Sequence, residues 1–406
     1  MKILQVISTL DPSLGGQLEA LLQTSRALEG LGYQSEVVTQ DGLDVPWIPS
    51  FPGVVHALGP SIGKYRYNRR FIPWLKAHTK DYDAILVHGI WQFQSLATWL
   101  VARGNSIPYF MFVHGALDPW FKRTYPLKHI KKWLYWPWAE YRVLRDAQAV
   151  LFTCDDERVL ARQSFWLYQA KEAIIDFGIP VPVGDPHGQR EGFFRMYPAT
   201  RNKRLLLLLS RIHPKKGCDL LIEAFAKVAG RNPELHLVMA GPDQEGWQKK
   251  LMDLAKAHGM ADRITWTGML TGDIKWGAFH AADVFVLPSH SENFGIVVAE
   301  ALACSLPVLI TDKVNIWREI MQDGAGFAEP DTIEGTVALL ERWLGLSADE
   351  LHQMRIRARA CFEDRYNIQQ AAKKLVNVIE RCLMARTGKD IPSDSVAGQG
   401  CNPWSR

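Results

Sequence analysis

The chain has 406 residues, 47% of them hydrophobic and 22% charged, with a formal net charge of +4, which is the composition of a soluble globular protein long enough for two domains. No apolar run reaches the roughly 18 residues that a membrane-spanning helix needs, and the basic start at Met1-Lys2 reads as a first strand, not a secretory signal, because Asp11 interrupts it. The six scattered cysteines form no Cys-x-x-Cys pair, which predicts a cytoplasmic protein without disulfides or structural zinc.

A pair of glycines, Gly15 and Gly16, separates the first predicted strand from the first predicted helix. The apolar run Ile3–Ile7 predicts a buried strand, and leucines at helical spacing predict a helix that ends at Gly30. A strand–Gly-Gly–helix turn suits close approach of a ligand phosphate or sugar to the backbone. A plain tight turn is the other interpretation, and without a full Gly-x-Gly-x-x-Gly the pattern disfavours a dinucleotide site.

Two further predicted strands each end in a histidine followed by a glycine. Ala84–Val87 leads into His88, and Tyr109–Val113 leads into His114. Either histidine has two interpretations, a loop side chain packed against aromatic neighbours or a ligand-facing group at the carboxyl end of a strand. The first is favoured for His88.

The segment 64–145 is strongly basic, with fourteen lysine and arginine residues against four acids, and it also contains seven tryptophans. Residues 126–145 predict one or two helices broken at Pro137, basic on one face and aromatic on the other. One interpretation is an ordinary amphipathic helix packed on the sheet. Another is peripheral contact with an anionic membrane, with aromatic side chains at headgroup level. Nucleic acid is disfavoured because no nucleic-acid-binding motif accompanies the charge.

Residues 180–202, rich in proline, glycine and charge, predict an interdomain linker. The apolar run Leu205–Leu209 then fits a strand buried on both faces. Arg211, Lys216 and Gly217 lie between this strand and an amphipathic helix. Such a pattern is typical of a phosphate site, because arginine donates a forked pair of hydrogen bonds and lysine a point charge. A solvated charge cluster is the alternative.

The most informative stretch is 283–312, which predicts a strand–loop–helix–strand unit of a parallel sheet. Its loop, Ser289–Gly295, lies at the carboxyl end of a strand, where open parallel sheets bind ligands. Gly295 opens the helix, so free N–H groups and the positive end of the helix dipole face that position. Glu292 and Glu300 frame it. The alternative interpretation is that neither glutamate binds a ligand: Glu300 caps a neighbouring loop, and Glu292 is solvated.

The stretch from Glu292 to Glu300 resembles the Glu-x7-Glu motif of the retaining nucleotide-sugar glycosyltransferases of family 4, and the flanking Asn-Phe-Gly and Ser-Leu-Pro-Val sequences are similar as well. The resemblance covers residues 1–385, more strongly in the second half. It implies an α/β protein with the GT-B fold, in which two Rossmann-like domains face an interdomain cleft. Two positions depart from the family pattern: Phe177 stands where asparagine is usual, and Lys313-Val-Asn315 replaces a Gly-Gly pair.

The resemblance also implies roles for individual residues. Arg211 and Lys216 would stabilise the charge on the leaving diphosphate, Glu300 would accept both ribose hydroxyls, and Glu292 would lie near the sugar ring. His114 would hydrogen-bond a sugar hydroxyl, so the implied catalytic residues are His114, Glu292, Arg211 and Lys216. The implied donor-binding residues are Gly15, Gly16, Arg211, Lys216, Met269, Glu292, Asn293, Phe294, Gly295, Ile296 and Glu300.

The implied domains are an acceptor-binding domain at 1–185, a donor-binding domain at 186–365, a helix at 366–385 that crosses back to the first domain, and a disordered tail at 386–406. The expected reaction is retaining transfer of a hexosyl-type unit from a nucleoside-diphosphate sugar to a carbohydrate or lipid-linked acceptor in polysaccharide or glycolipid assembly. Because no Asp-x-Asp pair stands near the site, we expect neither a metal nor a cofactor. The alternatives are a GT-B nucleotide-sugar epimerase and a non-catalytic nucleotide-sugar-binding protein. The expected location is the cytoplasm, and a lipid-linked acceptor would place the protein peripherally at the inner face of the membrane.

Overall fold

The computed structural model describes residues 1–119, 122 and 126–387, which divide into two compact units. Of the described residues, the first unit comprises those within 1–178 and 368–387, and the second comprises 179–367. The first boundary therefore lies seven residues before the expected position at 185, and the return falls at 367/368 instead of 365/366. Residues 386 and 387 of the expected tail belong to the last helix, and the rest of the tail, from 388 onward, lies outside the described residues. Trp120 and Arg123 of the basic segment lie outside them as well.

The first unit is built on a seven-stranded parallel sheet in the order β3-β2-β1-β4-β5-β6-β7. Three neighbouring strands of this sheet are nearly continuous apolar runs, as expected for strands covered by helices on both faces. The strands of the sheet are β1 (Lys2–Ile7), β2 (Gln34–Thr39), β3 (Val54–Ala57), β4 (Ala84–His88), β5 (Tyr109–Phe112), β6 (Ala149–Phe152) and β7 (Glu172–Ile174).

Helices cover both faces of this sheet. They are α1 (Gly16–Gly30), α2 (Phe71–His78), α3 (Phe93–Asn105), α4 (Pro126–Tyr135), α5 (Glu140–Asp146) and α6 (Asp155–Ala161). The last helix of the chain, which we number α15 (Ile368–Thr387), packs its apolar side chains against the same sheet. Leu375 and Ile379 lie in one core cluster with Ile3 and Phe110, so this helix belongs physically to the first unit.

The second unit is built on a six-stranded parallel sheet in the order β10-β9-β8-β11-β12-β13. Its strands are β8 (Arg204–Leu209), β9 (Leu235–Ala240), β10 (Ile264–Gly268), β11 (Val284–Leu287), β12 (Val308–Thr311) and β13 (Gly326–Glu329). Its helices are α7 (Pro186–Met196), α8 (Cys218–Ala229), α9 (Gln248–Ala257), α10 (Gly272–Ala281), α11 (Ile296–Ala303), α12 (Trp317–Gln322), α13 (Ile333–Leu344) and α14 (Ala348–Cys361).

The expected linker at 180–202 is wrong for most of its length, because α7 forms there. Asp185 caps this helix by accepting hydrogen bonds from the N–H groups of His187 and Gly188. Phe193 is fully buried, and Gly277 of α10 approaches so closely that a Cβ there would lie 2.2 Å from the carbonyl oxygen of Gln189. The segment is therefore a packed part of the second unit.

No helix among residues 1–119, 122 and 126–387 is both long enough and apolar enough to cross a membrane. Five cysteines lie in the described part of the chain, and all five are free thiols.

Candidate functional site

At the carboxyl edge of the second sheet, two loops meet at Gly217, which begins the turn into α8. Gly217 has φ +65°, and a Cβ on it would lie 2.0 Å from the carbonyl oxygen of Pro288, at the end of β11. The His290 N–H also donates to the Lys215 carbonyl at 2.9 Å. Only glycine permits this backbone approach, and it brings Lys216 beside the loop that follows β11.

The backbone of Glu292 is fixed on both sides by the loop that follows β12. Its N–H donates to the Lys313 carbonyl at 2.9 Å, and its carbonyl accepts from the Asn315 N–H at 3.1 Å. The Asn315 side-chain amide lies 3.5 Å from the side-chain oxygen of Asn293. The Lys313-Val-Asn315 sequence, which departs from the family pattern, therefore forms a short parallel bridge that holds the motif loop.

Two lysines hold the two carboxylates of the motif. The ammonium group of Lys216 donates to Glu292 Oε2, and both side chains are largely buried. Glu300 lies on α11 with 9% of its surface exposed, and its Oε1 accepts from Lys275 Nζ of α10 at 2.6 Å. Burying a carboxylate is costly without such partners, so each lysine holds its glutamate in position.

The remaining predicted donor residues of the second unit share this edge of the sheet, and they differ in exposure. Arg211 follows β8 and is exposed to solvent, and Met269 follows β10 with 69% of its surface exposed. Gly295, at φ +75°, caps the helix that Ile296 begins. The ring of Phe294 is buried and packs edge-on against Tyr366, at 5.3 Å between ring centroids, so only its backbone is available to a ligand.

In the first unit, the predicted residue His114 follows β5 and is held in a chain of hydrogen bonds. His114 Nε2 lies 3.2 Å from His88 Nδ1, and His88 Nε2 lies 2.9 Å from Gln5 Oε1. Burial lowers the pKa of His114 to about 4, and burial together with the nearby His114 lowers the pKa of His88 well below its usual range. Both imidazoles are therefore neutral near pH 7.

This chain fixes the position of the proton on each ring. The Ser25 hydroxyl donates to the Leu21 carbonyl, so it accepts from Gln5 Nε2, which leaves Gln5 Oε1 to accept from His88 Nε2. A neutral His88 then accepts at Nδ1, so His114 donates from Nε2 and its own Nδ1 is the acceptor nitrogen. A hydrogen-bond acceptor at this position suits a sugar hydroxyl.

The turn that carries His114 is further fixed by Glu157, a residue that sequence reasoning missed. One oxygen of this buried carboxylate accepts from the Gly115 N–H, and the other accepts from the N–H and hydroxyl of Thr153. His114 itself has φ +48°, an uncommon conformation for a residue with a side chain. Its side chain lines a small cavity of the first unit, to which Thr24, Asp176 and Phe177 also contribute.

The structure groups the predicted residues by unit. Lys216, Glu292 and Asn293 lie in or beside the motif loop of the second unit, and Glu300 lies on the helix that follows. Gly15 and Gly16 lie in the first unit, exposed at the start of α1, with Gly15 at φ +64° and open space around its Cα. Within 1–119, 122 and 126–387, no group of three or more His, Cys, Asp or Glu side chains is arranged to hold a metal ion.

Other residues of the site were missed as well. Lys275, Asn315 and Gln5 act through partners that lie 25, 22 and 83 positions away in the sequence. No local pattern marks such pairs, and only the folded structure brings them together.

Two family models match the chain. A model described as "Glycosyl transferase 4-like domain" matches residues 15–178, and one described as "Glycosyl transferases group 1" matches residues 189–360. Mannosylfructose-phosphate synthase of Agrobacterium fabrum is 26% identical over an alignment of 352 residues, which covers 78% of this chain and 75% of that relative.

Solved structures show the same fold. Sucrose-phosphate synthase from Thermosynechococcus elongatus has a TM-score of 0.74 at 20% identity and covers 95% of this chain and 100% of its own. Anabaena HepE, solved in complex with UDP and glucose, has a TM-score of 0.73 at 17% identity and covers 94% of this chain and 99% of its own. Since the two family models together span most of both units, the chain belongs to the glycosyltransferases of the family 4 type, with two Rossmann-like domains of the GT-B class.

Proposed function

We propose that this glycosyltransferase moves a hexosyl-type sugar from a nucleoside-diphosphate sugar to an acceptor hydroxyl with retention at the anomeric carbon. The observation that carries the proposal is the Lys216–Glu292 ion pair beside Gly295, where α11 begins. A cation, a carboxylate and free helix N–H groups meet there at the carboxyl edge of a parallel sheet. Together they match a diphosphate with a sugar attached.

Lys216 and Arg211 supply the positive charge that the reaction needs. When the bond between the anomeric carbon and the phosphate oxygen breaks, negative charge develops on the diphosphate, and fixed cations stabilise it. In the free protein the Lys216 ammonium is bound by Glu292. Donor binding would therefore exchange part of that contact for phosphate oxygens and leave Glu292 close to the sugar ring.

Glu300 would accept the ribose hydroxyls of the nucleotide. It lies on α11, the helix that follows the motif loop, and Lys275 donates a hydrogen bond to it in a largely apolar helix. A carboxylate accepts two hydrogen bonds side by side. In the first unit, His114 would accept a hydrogen bond from a sugar hydroxyl through Nδ1. Because the pKa of His114 is low, its imidazole is neutral at neutral pH and is not suited to act as a general acid.

The donor's base is proposed by analogy. The similar structure of HepE contains UDP, and UDP is therefore the first nucleotide to test. We also propose that the reaction needs no metal, because Lys216 and Arg211 can take the charge that a metal would carry in other glycosyl transfers.

The acceptor is proposed to be a carbohydrate or a lipid-linked sugar in polysaccharide or glycolipid assembly. The support is the basic, tryptophan-rich segment 64–145 of the first unit, which suits peripheral contact with an anionic membrane at its cytoplasmic face. A peripheral protein would reach an acceptor that is anchored in that membrane.

A thermal-shift screen tests the donor proposal. Wild type and Glu300→Ala are heated with UDP, GDP, ADP and their common sugars, with and without EDTA. A ligand that binds only the folded state raises the free energy of unfolding by RT ln(1 + [L]/Kd), which is about 2.7 kcal/mol at a hundredfold excess over Kd. We expect one nucleotide to stabilise wild type regardless of EDTA and to lose this effect in Glu300→Ala. Stabilisation by none of them would overturn the donor proposal, and loss of stabilisation with EDTA would overturn metal independence.

A further inference from the structure

Helix α4 is turned with its apolar side toward solvent. An ordinary surface helix packs its apolar side on the core and exposes its charged side. Here Leu127, Ile130 and Leu134, which lie on one side of the helix at spacings of three and four, are 78%, 56% and 61% exposed. No residue of α4 is buried, so packing on the first unit does not explain this apolar side.

The opposite side of α4 packs on the first unit through polar and aromatic groups. Lys132 lies with Nζ 4.6 Å from the ring centre of Trp91, and the Tyr135 hydroxyl lies 2.6 Å from that of Tyr65. The interpretation of this helix as an ordinary amphipathic helix packed on the sheet is therefore not supported. A lysine faces inward, and the aliphatic side chains face outward.

Tryptophans extend the outward apolar side. Trp133 of α4 is 46% exposed, and its ring lies 6.4 Å from that of Trp166, which is 67% exposed in the loop after α6. Trp138, just beyond α4, is 52% exposed. We name the patch formed by Leu127, Ile130, Trp133, Leu134, Trp138 and Trp166 the outer face.

Helix α4 carries lysines and no acidic residue. Lys128 and Lys131 are exposed on α4 between its apolar side chains, and Arg142 is exposed on α5. The one acid between 126 and 145 is Glu140, which is fully buried. Aliphatic side chains, tryptophans and exposed lysines are together the composition of a helix that lies in the headgroup region of an anionic bilayer.

We propose that the outer face docks on an anionic lipid surface, with Leu127, Ile130 and Leu134 inserted among the lipids and Lys128 and Lys131 at the phosphate level. Exposed acidic groups, which an anionic surface would repel, are absent from this described stretch. The inference rests on the proposed function only for its purpose: docking of the outer face would hold the first unit beside a lipid-linked acceptor.

Vesicle co-sedimentation of the full chain tests the inference. The vesicles are phosphatidylcholine alone and phosphatidylcholine with phosphatidylglycerol, at physiological salt. Variants are I130D/L134D, which removes apolar contact, and K128E/K131E, which reverses charge. K249E/K250E is the matched control, because it makes the same charge change at exposed positions of α9 in the second unit. Melting curves without vesicles check that each variant is folded.

We expect wild type and the control to partition equally onto anionic vesicles and at least tenfold less onto neutral ones. Partitioning of both outer-face variants onto anionic vesicles should be at least tenfold lower than that of wild type. Equal partitioning onto the two vesicle types, or binding that survives both variants, would overturn the inference. So would a wild-type dimer, seen by sedimentation velocity and lost in I130D/L134D, without vesicle binding, because a second copy would then cover the face.

Nucleotide binding is measured on the same preparations. Vesicle binding without any nucleotide stabilisation would leave this inference standing and overturn the proposed donor. Nucleotide stabilisation without vesicle binding would overturn this inference and leave the proposed donor standing.

Discussion

Lys275 Nζ lies 2.6 Å from Glu300 Oε1, joining α10 to α11 at the carboxylate that the motif assigns to the ribose. The Lys275 side chain is about one-quarter exposed and the Glu300 side chain about one-eighth, so the pair is shielded from salt more than a surface pair would be. The cation offsets the cost of burying the carboxylate charge. Lys275 therefore acts as a positioning residue for the proposed nucleotide site.

Replacing Lys275 with methionine should weaken nucleotide binding. Without the cation, the cost of burying the Glu300 carboxylate charge is no longer offset, and the carboxylate loses the partner that holds it in position. We expect about a tenfold loss of affinity, measured by calorimetry with the nucleotide that stabilises wild type. Lys275→Arg keeps the charge and should retain most of the affinity. Wild-type affinity in Lys275→Met would contradict this role.

Replacing Gly217 with alanine should damage both stability and the phosphate site. Its Cβ would overlap the Pro288 carbonyl oxygen, and φ +65° adds roughly 1 kcal/mol of strain. Gly259→Ala is the matched control, because Gly259 has φ +67° in the same unit with open space around it. We expect a loss of about 2–4 kcal/mol for Gly217→Ala and about 1 kcal/mol for the control, by urea unfolding. Equal losses would show that the close approach is not required.

The neutral histidine chain predicts sensitivity to acid. The unfolded imidazole has a pKa of about 6.5, whereas that of folded His114 is about 4. Between these values the unfolded state binds a proton that the folded state does not, so the free energy of unfolding falls as pH drops. From pH 7 to pH 5, wild type should lose about 1–2 kcal/mol more than His114→Gln. Equal losses would mean that His114 titrates normally in the folded protein.

Glu140 predicts the opposite dependence. Burial raises the pKa of this carboxyl to about 7, although the Ser95 hydroxyl and the Trp91 N–H each donate to it at 2.8 Å. The folded state therefore holds a proton that the unfolded state has already lost above about pH 4.5, and stability falls as pH rises toward 7. Between pH 5 and pH 8, wild type should lose about 1–3 kcal/mol more than Glu140→Gln, by urea unfolding. A parallel pH dependence of the two proteins would refute the raised pKa.

The expectations of an α/β fold with two Rossmann-like domains and of a glycosyltransferase are confirmed. The buried strands were predictable because their apolar runs are bounded by turn residues, as at Leu205–Leu209 and Val284–Leu287. The unit around Glu292 was predictable because all its parts are consecutive in the chain.

What sequence reasoning missed has physical causes. The strand β3 is four residues long and partly exposed, so its pattern is too short to stand out. Helix α7 contains Pro186 and two glycines, which read as a linker, and its stability comes from the cap at Asp185 and the burial of Phe193. The outward turn of α4 depends on which side chains the first unit accepts, and periodicity alone does not reveal it.

The most direct test of the proposed chemistry is the fate of the donor's anomeric carbon. Full-length protein is incubated with the nucleotide sugar that stabilises it, and proton NMR follows both release of the nucleoside diphosphate and the first sugar anomer to form, with water or added acceptor. Glu292→Gln and Lys216→Met serve as site variants. We predict that wild type releases the nucleoside diphosphate slowly and that the first sugar product has the donor's own anomeric configuration. The rate of release should be at least a hundredfold lower in both variants. Release with the inverted configuration, or equal release by the variants, would contradict the account.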